Sequence, residues 1–111
     1  MAKNLREGVL LDFYGELLTD KQKRALELYY NEDLSLAEIA EDMQVSRQGV
    51  RAFIKQGEVH LKDFEEKLGM FERFSSISRL LKEAKITAKT LSESKEKKEL
   101  VKIIEQIENH L

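Results

Sequence analysis

The stretch LAEIAEDMQVSRQGVRAFIK, residues 36–55, decides how this chain is read. Ile39, Met43, Val45, Val50 and Phe53 fall where two short helices crossing at a steep angle need apolar side chains to fill the corner between them. Ala40 occupies the point of closest approach, where only a small side chain fits. Ser35 and Glu38 form a capping box, in which each side chain satisfies a backbone N–H at the other's position, and Ser46 is an N-cap for the helix that follows. Gln44 departs from the pattern. It stands where a glycine normally takes the left-handed turn conformation, and a residue with a Cβ pays about 1–2 kcal/mol there. The pattern is that of a helix-turn-helix.

Working outward, Leu10, Phe13, Tyr14, Leu17 and Leu18 recur at helical spacing and predict a first helix over 3–18. Thr19 and Gln22 make another capping box before DKQKRALELYY, a helix expected to bury Leu26, Tyr29 and Tyr30 and to end at Asn31-Glu32-Asp33. Downstream, Val50, Ile54, Gly57, Leu61, Phe64 and Leu68 step by three and four along one long helix. Gly69 breaks or bends it, and Met70, Phe74, Ile77, Leu81 and Ala84 carry the period onward. The Lys/Glu/Ser-rich residues 87–99 are the best candidate for a loop, before a closing helix with Leu100, Ile103, Ile104, Ile107 and Leu111. Strand patterns and internal repeats are absent. The predicted fold class is all-α: a helix-turn-helix unit over 1–68 and a C-terminal helical arm over 69–111.

Composition agrees and excludes several function classes. The 111 residues include no Cys, no Pro and only five Gly, so a disulfide scaffold, a thiolate metal cluster and a cysteine nucleophile are ruled out. No apolar run is long enough to span a membrane, and the N-terminal residues reach Asp12 before a secretory apolar region develops; the expected location is cytoplasmic. His60 and His110 are isolated, and a structural or solvated role is expected for His60 beside Leu61. Glu38, Glu41 and Asp42 read as a solvated face. With no phosphate loop and no nucleophile motif, no catalytic residue, metal ligand or cofactor is expected, and the chain reads as a non-enzyme.

Charge is unevenly distributed. Residues 1–45 carry 5 basic and 10 acidic side chains, whereas residues 46–64 carry 4 and 2. The basic stretch coincides with the second helix of the motif. Ser46, Arg47, Gln48, Arg51, Ala52 and Lys55 would form its outward, nucleic-acid-binding face. Gln48 has the amide that pairs with adenine, and Arg51 the fork that pairs with guanine. Arg47 and Lys55 suit phosphates, with Ser46 offering a hydroxyl. Against this, Glu38, Glu41 and Asp42 would repel a phosphate backbone, and an exposed Gly49 lacks a methyl that could touch thymine.

Residues 17–58, LLTDKQKRALELYYNEDLSLAEIAEDMQVSRQGVRAFIKQGE, resemble region 4 of the sigma-70 family. The resemblance is closer still to the small bacterial YlxM/p13-like helix-turn-helix family. It rests on Asp12-Phe13-Tyr14, LLTDKQ at 17–22, LELYY at 26–30, SLAEIAE at 35–41 and VSRQ at 45–48. It covers about residues 10–75; the last third is alike only in being helical. Arg51 stands where the family usually has an aromatic, which makes this helix more basic, and Gln56 where a basic residue is common. The resemblance implies a regulatory protein that binds DNA or RNA, or one linked to the signal recognition particle and its targeting GTPase. For the arm, three arrangements are open: a hairpin packed on itself, a homodimer through the C-terminal helices, or a hetero-partner.

Overall fold

A computed structural model describes residues 5–111, and among them there are helices and no strands. Helix α1 is Leu5–Tyr14, followed by a 3-10 turn at Gly15–Leu17; α2 is Asp20–Leu26, continued by a π turn at Glu27–Asn31. Then come α3, Leu36–Met43, α4, Arg47–Leu68, α5, Met70–Lys89, and α6, Lys95–Asn109. The chain divides into two compact units, Met1–Phe71 and Glu72–Leu111. Residues 3 and 4 of the expected first helix lie outside the described residues.

Each predicted cap forms. Thr19 accepts from the Gln22 N–H at 3.2 Å, and Gln22 Oε1 accepts from the Thr19 N–H. Ser35 and Glu38 do the same at 3.1 Å in each direction. These contacts fix where α2 and α3 begin, because each helix start otherwise leaves backbone donors without partners.

In the first unit α4 is the spine, packed by α1, α2 and α3. Tyr14, Leu10, Leu26, Ile39, Leu61 and Val50 are its largest fully buried side chains. Each contributes roughly 1.5–3 kcal/mol of hydrophobic stabilisation, with Tyr14 also carrying a polar tip. Gly57 sets how close α2 can lie: a Cβ added there would meet Leu26 Cδ1 at 2.5 Å.

Three expectations need correction here. The first helix loses α geometry after Tyr14, and Leu17 in the 3-10 turn is 57% exposed. The end of α2 is a π turn, with the Glu32 N–H reaching back to Glu27 O at 3.1 Å. The extra residue rotates the apolar face, so Leu28 is buried while Tyr29 and Tyr30 are only half-buried and stack edge-on at 5.0 Å. At the end of α4 the buried residue is Glu65, and Leu68 is 43% exposed.

Glu65 anchors a small polar network. The Tyr14 hydroxyl donates to Glu65 Oε1 at 2.5 Å, and the same oxygen accepts from the Phe71 N–H at 3.0 Å. The Tyr14 oxygen in turn accepts from the Met70 N–H at 3.0 Å. Gly69, at φ 62°, closes α4 in the left-handed conformation, so the orphan donors at the start of α5 turn toward these two side chains. Burial, and then the hydrogen bond to Glu65, push the Tyr14 phenol above its ordinary value of 10.0.

In the second unit, α5 and α6 run antiparallel, with Lys85 Nζ 3.3 Å from both Glu105 and Glu108. The 87–99 segment is mostly helix, contrary to its polar composition. Only residues 90–94 connect, because Ser94 caps α6 by accepting from the Lys97 N–H at 3.0 Å and Lys97 pairs back to Glu93 at 2.6 Å.

Two outcomes test this packing. Gly57→Ala gains helix propensity of about 1 kcal/mol but overpacks by about 1–3 kcal/mol, so stability should drop by about 1 kcal/mol net, read as a lower urea midpoint. Tyr14→Phe leaves Glu65 short of a donor and the Met70 N–H unpaired, and should lose about 2 kcal/mol at neutral pH. Above pH 10 the unfolded chain releases the Tyr14 proton while the folded one keeps it. The unfolded state then binds fewer protons, so wild-type stability declines with rising pH. The Phe variant should decline less steeply in urea titrations from pH 9 to 11.

Candidate nucleic-acid interface

The turn between α3 and α4 sets the direction of α4. Gln44 is left-handed at φ 58°, ψ 44°, the conformation that the motif requires. The Val45 N–H reaches Ala40 O at 3.1 Å, which satisfies a carbonyl at the end of α3. Gln44 also donates its side-chain amide to Glu41 O at 2.9 Å, a bond that glycine could not make and one that offsets part of the left-handed cost. Of the corner residues, Ile39, Ala40 and Val50 are buried, while Met43, Val45 and Phe53 are half-buried against the same core.

Ser46 then caps α4, its Oγ accepting from the Gly49 N–H at 2.9 Å. Gly49 is half-buried rather than exposed, because its Cα lies under this cap; a Cβ would come 3.2 Å from Ser46 Oγ. Its missing side chain therefore serves the cap.

Ser46, Arg47, Gln48, Arg51, Ala52 and Lys55 are all exposed. From Arg47 to Lys55 they recur at the three- and four-residue spacing that puts side chains on one helix face. Among the described residues Arg47, Arg51 and Lys55 enter no ion pair. The acidic side chains of α3 are mostly engaged. Asp42 pairs with Arg24 of α2 at 3.1 Å, and Glu38 is the partner of Ser35 in its capping box, which leaves Glu41 facing solvent.

Arg51 and Lys55 also line an open cleft of about 620 Å³ together with Tyr29, Leu36, Ile54 and Val59. Lys62 joins them, a cation that the motif template omits; its signal was helical spacing from Lys55. Glu7 and Glu58 complete the lining. Burial and then the Glu58 charge push the Glu7 carboxyl above its ordinary value, while Arg6 and Lys62 pull it down. Burial also raises Glu58, and its hydrogen bond with Tyr30 opposes the rise. Farther along α4, the His60 ring stacks on Phe64 at 6.4 Å, which accounts for it by packing.

A family model described as "Putative helix-turn-helix protein, YlxM / p13 like" matches residues 1–108. The chain belongs to this family. A UPF0122 protein of Thermoanaerobacter sp. (strain X514) is 46% identical over 99 residues, covering 89% of this chain and 85% of its own. One from Halalkalibacterium halodurans is 41% identical over 108 residues, 97% and 99% of the two chains. One from Clostridium kluyveri is 51% identical over 77 residues, 69% of each. Family membership and the all-α helix-turn-helix fold thus agree with the expectation from the motifs. No helix among the described residues is long and apolar enough to cross a membrane.

Ser46→Ala removes the cap at the base of the candidate face and should cost about 1 kcal/mol in urea unfolding. The same substitution should raise amide exchange at Gly49, whose N–H loses its acceptor.

Proposed function

We propose that the protein is a non-enzymatic regulator that binds duplex DNA by inserting the first turns of α4 into the major groove. The observation that carries this reading is the face formed by Arg47, Gln48, Arg51 and Lys55: exposed, with its three cations outside any described ion pair, on a helix whose direction is set by the turn before it. Gln48 and Arg51 read base edges, while Arg47 and Lys55 neutralise phosphates and Ser46 and Ala52 lie in the same contact zone. The pairing of Asp42 with Arg24 weakens the repulsion that α3 would otherwise offer to a phosphate backbone.

A second reading, contact with an RNA or protein partner such as the signal recognition particle and its targeting GTPase, is favoured by one feature. The cleft beside Arg51 and Lys55 has Tyr29, Leu36, Ile54 and Val59 in its lining, apolar surface of a kind that phosphate contacts do not use.

Anisotropy titrations against duplex DNA and structured RNA, at several salt concentrations, separate the readings. Arg47 and Lys55 on phosphates, with Arg51 adding its charge in the groove, predict a log–log salt slope of about −2 to −3 on DNA, with affinity near micromolar. Arg47→Ala with Arg51→Ala should weaken binding and flatten the slope by about 1 to 2. Unchanged binding in the double variant removes this face as the contact surface.

A further inference from the structure

The second unit is a 40-residue helical hairpin, Glu72–Leu111, with two buried apolar side chains, Ala88 and Ile104. Units of about this size usually need disulfides, metal or association to hold together. The chain has no cysteine, and no group of residues suited to a metal occurs among the described residues. Association is a device still open to it.

The hairpin carries a surface for it. The seam between its helices uses Leu81, Lys85 and Ala88 of α5 and Val101, Ile104 and Glu108 of α6. About a quarter-turn round α5 from that seam lie Ile77, Leu80 and Ala84; about a quarter-turn round α6 lie Leu100, Ile103 and Ile107. The two offsets have the same sense in sequence. Because the helices are antiparallel, equal offsets bring both stripes to the same side of the hairpin, where they form one apolar face. Its five large side chains are each between 41% and 56% exposed.

We infer that this face pairs with the same face of a second copy, so that two hairpins close into a four-helix bundle. Its five large side chains leave roughly 400 Å² of apolar surface open on each copy, the size of the largest single patch on a typical monomer, which is often a functional surface. Two such faces, with their flanking side-chain stems, reach the ~1,000 Å² that marks the lower limit of a biological interface. The rim holds both signs, with Arg73 and Glu83 beside the α5 stripe and Glu96 beside that of α6, so a copy meets no single-sign field. A two-fold pairing is self-complementary and uses a partner present at equal concentration.

Sedimentation equilibrium of the full chain tests this without nucleic acid, so its result is independent of whether α4 binds DNA. At about 100 µM, well above a micromolar dissociation constant, the mass should be twice the 12.9 kDa of the chain. Leu80→Glu and Ile103→Glu should each return it to 12.9 kDa. Ile86→Glu should not, although Ile86 is 67% exposed, because it projects from the opposite side of α5. All three tyrosines lie in the first unit, so near-UV circular dichroism verifies that this unit stays folded in each variant. The cysteine-free background adds a second measurement that buries no charge: Leu80→Cys should oxidise to a covalent dimer much faster than Ile86→Cys. A wild-type mass of 12.9 kDa at that concentration, or equal cross-linking at the two cysteines, overturns the inference.

Discussion

The closeness of Gly57 to Leu26 is the constraint on which the first unit depends. One helix, α4, must present a polar face at its start and also supply the spine against which α1, α2 and α3 pack. Twenty-two residues are long enough for both tasks only if the packing surface begins within two turns of the exposed one. Val50 and Ile54 fill the corner with α3, and Gly57 then lets α2 lie directly on the helix backbone. A larger residue at 57 would displace the buried Leu26 side chain and strain the seat of α2. Because Arg24 of α2 pairs with Asp42 of α3, that strain would be felt at the charges beside the candidate face.

The other end of α4 is set by a polar device. Glu65 sits in the apolar stripe's path but is nearly fully buried, held by the Tyr14 hydroxyl and by the Phe71 N–H of α5. Burying a carboxylate is costly unless hydrogen bonds replace its water. Here they do, and the geometry that satisfies it also decides where α4 stops. An apolar residue at 65 would pack as well but would leave the Phe71 N–H without its acceptor, and with it the definition of the helix junction.

Local signals were legible in the sequence. Three capped helix starts, the left-handed Gln44 and the small Ala40 follow from side-chain chemistry within a few residues, and each lies where its motif predicts. What the pattern missed was long-range. Nothing in ELYYN announces a π turn, whose effect is to exchange Leu28 for Tyr29 on the buried face. Glu65 could be identified only by knowing that Tyr14, 51 residues earlier, reaches it. The polar composition of 87–99 suggested a loop, but Lys, Glu and Ser are adequate helix residues when a cap and an i,i+4 ion pair support the first turn. For the candidate face, the sequence identified the residue types and their spacing; it could not show that Asp42 and Glu38 are engaged elsewhere.

That last point changes how the charge distribution is read. By composition the front half is acidic and should repel a polyanion. At protein surfaces, however, a charge acts mainly within about a Debye length, ~8–10 Å, so the nearest charges decide. Asp42 has Arg24 beside it, Glu16 has Lys23, and Asp63 has Lys67. Each pair is a dipole whose field falls off faster than that of a single charge. Arg47, Arg51 and Lys55 enter no ion pair among the described residues, so their fields add at the start of α4, opposed by Glu7 and Glu58 where Arg51 and Lys55 meet the cleft. A chain of net charge −2 can thus carry a local cluster of unpaired cations, because part of its acidic charge is taken up in ion pairs.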